Sequence, residues 1–195
     1  MSRLRLAVLL TAFVPVLAAS APAQGLSFSA GAGRLFPSAG QYREIYGPGL
    51  SLGGDLWLTL KSHFGFAAGF GLLTDKGTAV RVGADTAEYP LSFRRTSFPV
   101  VVFYELDAGP AVFRLGTGAG IHSYRETWRT VALSYAGHRI SPRIVMTASL
   151  GIIDRISVFF QASYDSIRAG ADSALGQTVP LGGYQLLGGL AFRIF

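Results

Sequence analysis

The sequence predicts an all-β fold, an eight-stranded antiparallel up-and-down transmembrane β-barrel, and three observations carry the prediction. Apolar and polar residues alternate with a period of two along most of the chain, which is the strand period. No apolar run after residue 23 is long enough for a membrane helix, which needs about 20 residues. Only 14% of the 195 residues are charged while 50% are hydrophobic, whereas an ordinary soluble domain carries roughly 25% charge. So much apolar surface also excludes disorder. The absence of cysteine excludes a disulfide scaffold, a thiolate metal site and a lipid-modified N-terminal cysteine.

Residues 1–23 read as a secretory signal. Arg3 and Arg5 form its positive start, Leu6 to Ala19 its apolar stretch, and Ala21-Pro22-Ala23 its cleavage site. Cleavage is expected between Ala23 and Gln24, leaving one domain over 24–195. Without Arg3 and Arg5 the chain keeps 17 − 2 = 15 basic against 11 acidic residues, a formal +4. So scattered and mild a charge gives no support to nucleic-acid binding.

Eight strands are expected near 25–36, 49–60, 64–73, 95–106, 111–124, 142–153, 156–166 and 182–195. In the second, Leu50, Leu52, Leu56, Leu58 and Leu60 share one face; in the third, Phe64, Phe66, Ala68, Phe70 and Leu72 do so. Later apolar faces are Phe98 to Leu106, Phe113 to Ile121, Ile144 to Ile152, Ile156 to Tyr164 and Tyr184 to Ile194, every second residue. Lys61-Ser62-His63, Asp107-Ala108-Gly109-Pro110 and Ile153-Asp154-Arg155 are tight turns, while the links near 37–48, 74–94, 125–141 and 167–181 are long. Short turns therefore gather at one end of the barrel and long loops at the other. Opposed residues of an antiparallel pair share a face, so the tight turns set Leu60 against Phe64, Leu106 against Ala111 and Ile152 against Ile156.

Strand count alone also describes a soluble ligand-carrying barrel, and the second face decides. It holds mainly Gly, Ser, Ala and Thr with isolated charges, which suits a crowded interior better than a solvated surface. The apolar face carries no charge at its centre, and Phe, Tyr and Leu recur toward strand ends, as in a lipid-facing band with aromatic girdles. Turned apolar side out, a closed barrel satisfies its backbone in lipid without a spanning helix.

Over residues 25–195 the chain resembles the small eight-stranded outer-membrane barrels of the OmpA and OmpX type. The shared features are the cleaved signal, three short turns, four long loops and the final strand Leu190-Ala191-Phe192-Arg193-Ile194-Phe195. The resemblance implies periplasmic termini, loops outside the cell, and insertion by the outer-membrane assembly machinery reading Phe192 and Phe195. Phe195 departs from the pattern, falling out of phase with Phe192.

The expected inner polar set is Asp55, Glu105, Arg114, His122, Tyr124, Arg143, Gln161, Asp165, Gln185 and Arg193. Charges inside a barrel must pair, and Glu105 is expected to pair with Arg114 or Arg193 near the periplasmic end. A barrel of eight strands is just wide enough to be filled by side chains, so a packed network is favoured over a small pore. Gly116, Gly118 and Gly120 lack the spacing and following helix of a phosphate loop; they make room for Trp57, Phe103, Phe159 or Tyr124. Barrels that deacylate lipid A are similar in size and use a His-x-Ser pair with an acid. Here Ser123 adjoins His122 and faces the other way, and His138 stands three residues from Ser141, so no hydrolase is expected. Arg34, Arg94, Arg125 and Arg168 fall at the outer strand ends on the lipid-facing parity, where guanidinium groups suit lipopolysaccharide phosphates. The sequence thus points to a non-enzymatic, monomeric outer-membrane barrel without cofactor or metal. Its expected partners are lipid, lipopolysaccharide and the assembly machinery, and its role is structural or surface interaction through the loops. The alternatives are a small pore, a lipid A-modifying barrel and a soluble lipocalin-like binder.

Overall fold

A computed structural model describes residues 23–81, 87–130, 133–169 and 179–195. The signal-like segment 1–22 and residues 82–86, 131–132 and 170–178 lie outside the described residues. The strands are β1 (Ala23–Pro37), β2 (Gly49–Leu60), β3 (Phe64–Arg81), β4 (Ala87–Ala108), β5 (Ala111–Trp128), β6 (Leu133–Ile153), β7 (Ile156–Asp165) and β10 (Gly183–Arg193). They close into one barrel in the order β1-β10-β7-β6-β5-β4-β3-β2, every pairing antiparallel. A short helix α1 (Gly40–Tyr46) links β1 to β2, and a two-stranded ribbon, β8 (Arg168–Ala169) with β9 (Val179–Pro180), stands between β7 and β10. Closure between β1 and β10 runs in unbroken register from Ser27↔Arg193 to Pro37↔Gly183, so the main barrel has no free edge to desolvate in lipid.

The apolar face is outside. Leu106, Leu115, Ile144 and Leu190 each leave more than half of their surface exposed. The inner face buries Trp57, Phe103, Arg114, Arg143 and Asp165. The cavity of a soluble binder would need the reverse arrangement.

Two expected loops are strands. Residues 74–81 and 87–94 extend β3 and β4, and 125–128 and 133–141 extend β5 and β6, well past the expected ends. The physical reason is an exchange of polarity between the two faces. Beyond the lipid band Thr74, Arg94 and Arg125 point out while Leu73, Leu91, Phe93 and Tyr124 point in and are buried. A search for strands with an apolar outer face ends where that exchange begins.

The turn at Gly109-Pro110 is two residues long, pairing Ala108 with Ala111 and Leu106 with Phe113. The expected opposition of Leu106 and Ala111 is therefore two residues out of register. Gly109 at φ 64° reaches the left-handed region that glycine enters at no steric cost, which lets the turn close this tightly. At the β6–β7 turn the ladder shifts between Gly151 and Ile153, pairing Ile153 rather than Ile152 with Ile156. The first turn keeps the expected register, with Thr59 opposite Gly65.

Candidate functional site: the filled lumen and the outer rim

From the end that carries the three tight turns upward, the lumen is a stack of layers. The lowest is the ion pair between Arg114 Nε and Glu105 Oε2 at 2.7 Å, with Thr59 Oγ1 donating to the same oxygen at 3.1 Å. Glu105 and Arg114 are directly opposed across β4 and β5, so the corrected register creates the pair. Arg193 takes no part: it is exposed at the end of β10, where its amide bonds the Arg155 carbonyl at 2.8 Å.

The Arg114 guanidinium also lies 5.1 Å from the centre of the Trp57 ring and 5.8 Å from that of Phe103, favourable cation–π geometry. The two rings meet edge-on at 5.1 Å. Gly65 and Gly116 give Phe103 its space, since a Cβ at either would strike it, and Gly120 does the same for His122. The glycine row on β5 thus serves Phe103 and His122, while Phe159 lies over Gly31 and Tyr124 over Gly137.

The middle layer is uncharged apart from Asp55. Gln185 Nε2 donates to Ser51 Oγ, Ser163 Oγ to Gln185 Oε1 at 3.3 Å, and Thr147 Oγ1 to Gln161 Oε1 at 3.5 Å. Gln161 is in turn a hydrogen-bond partner of Asp55.

Above it Asp165, with no exposed surface, is held by two arginines. Arg143 Nη1 donates to Oδ1 at 3.2 Å and Oδ2 at 3.0 Å, and Arg95 Nη2 stands 3.8 Å from Oδ2. Arg95 itself is 2% exposed and donates from Nη1 to the Leu181 carbonyl at 3.1 Å. His122 Nε2 meets Ser141 Oγ at 3.0 Å and stands 3.9 Å from Asp165 Oδ1. The final layer is an apolar lid. Tyr42 and Tyr46 of α1 pack on Leu35, Leu73, Leu91, Phe93, Tyr124, Ile167 and Leu181.

Of the expected inner set, Asp55, Glu105, Arg114, His122, Tyr124, Arg143, Gln161, Asp165 and Gln185 all face the lumen, and only Arg193 lies outside the network. Sequence reasoning missed Arg95 and Ser141. The signal that finds both is strand parity: Arg95 already stands on the inner face of the expected strand 95–106, and Ser141 joins it once β6 is continued outward by one residue.

The structure forms two Ser–His pairs, and neither is the one weighed from spacing. Ser141 joins His122 inside the wall, and Ser123 Oγ joins His138 Nδ1 at 2.6 Å on the outer face. In the buried pair the acid and the serine approach the same ring nitrogen, while Nδ1 has no partner among the described residues. A triad needs the acid on the opposite nitrogen. His138 meets no carboxylate among the described residues. Those residues also contain no cluster able to hold a metal.

At the outer rim, Arg34, Arg94 and Arg125 share one face, while Arg168 sits apart on β8, where its carbonyl accepts from Arg139 Nε at 3.2 Å. The expected set of four is therefore a set of three.

No family model and no curated protein matches the chain. Solved structures do: OprG, an outer membrane protein of Pseudomonas aeruginosa, at 10% identity and TM-score 0.65, covering 89% of this chain and 98% of that one. Neisserial surface protein A matches at 13% identity and TM-score 0.64, over 87% and 97%. Ail, the attachment invasion locus protein of Yersinia pestis, matches at 10% identity and TM-score 0.53, over 87% and 97%, in a structure with the heparin analogue sucrose octasulfate. The fold is that of the small outer-membrane β-barrels, and an outer wall of exposed leucine, isoleucine and phenylalanine is stable in lipid. With that outward hydrocarbon wall and a closed ring of strands, the chain is a membrane-spanning barrel of this fold.

Two predictions follow from the lumen's ends. Glu105→Ala leaves Arg114 Nε without its acceptor, so unfolding free energy in detergent falls by roughly 1–3 kcal/mol, read from equilibrium urea titration. At the other end Asp75 lies above the lipid-crossing part of β3, its Oδ1 accepting from the Lys76 amide at 2.8 Å and its Oδ2 buried without a hydrogen bond among the described residues. Burial pushes its carboxyl up to about 6, against the lowering effects of the Lys76 amide and Arg34. Since the unfolded value is about 3.9, the folded state holds this proton more tightly. The stability it contributes is complete below about pH 4 and is lost as pH rises through 6. Asp75→Asn therefore raises the urea midpoint at pH 7.5 and removes this part of the change between pH 4.5 and 7.5, which paired titrations check.

Proposed function

We propose that this protein is a non-conducting surface barrel that acts from its extracellular rim rather than through its lumen. The observation that carries the reading is the filling of the interior. Between the amide layer and the Asp165 layer a cavity lined by Gly53, Asp55, Ser97, Arg143 and Gln161 has a volume of about 10 Å³. That is the space of roughly one water molecule. An ion path would have to cross this layer, the Trp57–Phe103 layer and the tyrosine lid in turn.

The contact surface is then the outside of the extended β3–β4 and β5–β6 hairpins, α1 and the β8–β9 ribbon. The sulfated sugar analogue bound by Ail supports a surface-interaction role for a barrel of this shape. An acyl-transfer or hydrolytic role draws no support from either Ser–His pair, because neither has an acid placed to orient its imidazole. The exposed Phe192 and Phe195 at the last strand support insertion through the assembly machinery.

Planar-bilayer recording of the refolded chain tests the proposal, with insertion verified separately by protease protection. Inserted barrels are expected to be silent. Discrete, salt-dependent steps that change with Asp55→Asn or Arg143→Gln would replace the surface reading with a small pore.

A further inference from the structure

The outer rim carries a charge pattern that the filled lumen does not need. In the barrel register Arg34 opposes Leu50, Leu50 opposes Thr74, Thr74 opposes Arg94 and Arg94 opposes Arg125. One hydrogen-bonding row on the outer face therefore presents three arginines across β1 to β5, and Lys76 stands one pleat above it, opposite Ser92. These four cations line a groove of about 600 Å³. Its only acidic lining residue, Asp75, belongs to the lumen face.

Arg94 and Arg125 face each other directly, and like charges in that relation destabilise a sheet. Among the described residues Arg34 donates to the Pro48 carbonyl at 3.2 Å and feels the Asp75 carboxyl without a salt bridge, and neither Arg94 nor Arg125 has a carboxylate in salt-bridge reach. Such a row is relieved by an anion with several acceptor oxygens, which guanidinium groups bind by paired charge-assisted bonds.

What lies beneath the row identifies the anion's other end. On β4, β5 and β6 the next tier toward the lipid, about 7 Å down, is Thr96, Ser123 and His138, opposed in register. The tier below that is Phe98, Ile121 and Ile140, with Phe98 against Phe70 at 5.3 Å. Charge, then hydroxyl and imidazole, then hydrocarbon is the order of a phosphate headgroup, its ester or sugar linkage, and its acyl chains.

We propose that the Arg34–Arg94–Arg125 row with Lys76 is a binding site for the phosphate of an outer-leaflet lipid. Thr96 and the Ser123–His138 pair contact its linkage region, and its chains lie on the Phe70–Phe98 wall. This deepens the rim reading of the proposed function and rests on the barrel's being lipid-embedded. A silent barrel without lipid preference would remove the site and leave the closed lumen standing.

The test is electron spin resonance of the refolded chain in phosphatidylcholine vesicles carrying spin-labelled phosphatidic acid or spin-labelled phosphatidylcholine. The native chain is expected to immobilise the phosphatidic acid on the order of tenfold more strongly. Arg94→Gln with Arg125→Gln should bring the ratio close to one, and Arg168→Gln should leave it unchanged. Equal association of both lipids with the native chain, or a preference that survives the double replacement, would overturn the proposal. So would full displacement of the labelled lipid by an equal concentration of soluble glycerol phosphate, which would mark a site for free anions. Arg125→Gln alone gives an independent reading. In neutral detergent it should raise the urea midpoint, because the opposed charge is relieved, while lowering lipid preference; a lowered midpoint would contradict the frustrated pair.

Discussion

Asp165 is the group around which the interior is arranged. A carboxylate with no solvent contact is tolerated only when charges and hydrogen bonds replace the lost water. Here Arg143 supplies a two-oxygen contact and Arg95 a second positive charge. The three residues come from β7, β6 and β4, so satisfying one carboxylate fixes the relative height of strands on both sides of β5. His122 and Ser141 fill the gap between them. Below, the amide layer with Asp55 and the Trp57–Phe103–Arg114 stack complete the column. Filling follows from strand number, because an eight-stranded barrel has a bore about the width of side chains.

Where the membrane ends, the strands continue and their faces exchange character. Inside the lipid band the outer face is hydrocarbon and the inner face polar; above it Leu73, Phe93 and Tyr124 turn inward beneath α1, while Thr74, Arg94 and Arg125 face out. Each half obeys the same rule, that apolar groups face whatever excludes water. The exchange sets the lid on the lumen and the cationic row on the rim at the same height, one on each side of the same strands.

That exchange also explains what could be read from the sequence. Strand number, the outward apolar faces and nine of the ten inner polar positions were legible, because period-two alternation with a hydrocarbon outer face is a strong signal inside lipid; Glu105 was read as pairing with Arg114 or Arg193, and the register decided for Arg114. The outer parts of β3 to β6 were not legible as strands, since Thr74, Lys76, Arg94 and Arg125 put polar groups on the outer face and Leu73, Leu91 and Phe93 put apolar ones on the inner. Ser141 and Lys76 were lost with them, while Arg95, inside the expected strand 95–106, was passed over although its parity assigns it to the lumen. The Gly109-Pro110 register needed turn geometry rather than pattern. Ser123–His138 and Ser141–His122 depend on cross-strand register, which residue spacing along one strand does not reveal.

The most direct measurement of the account is a double-mutant cycle between Asp165 and Arg143, followed by urea unfolding in lipid vesicles. Asp165→Asn should destabilise the barrel by roughly 3–5 kcal/mol, because it leaves two guanidinium groups in a dry layer without their anion. Arg143→Met added to it should recover a substantial part of that loss, giving a large coupling energy. An Asp165→Asn barrel as stable as the native one, or losses that simply add, would show that the layer is hydrated and that this carboxylate does not organise the interior.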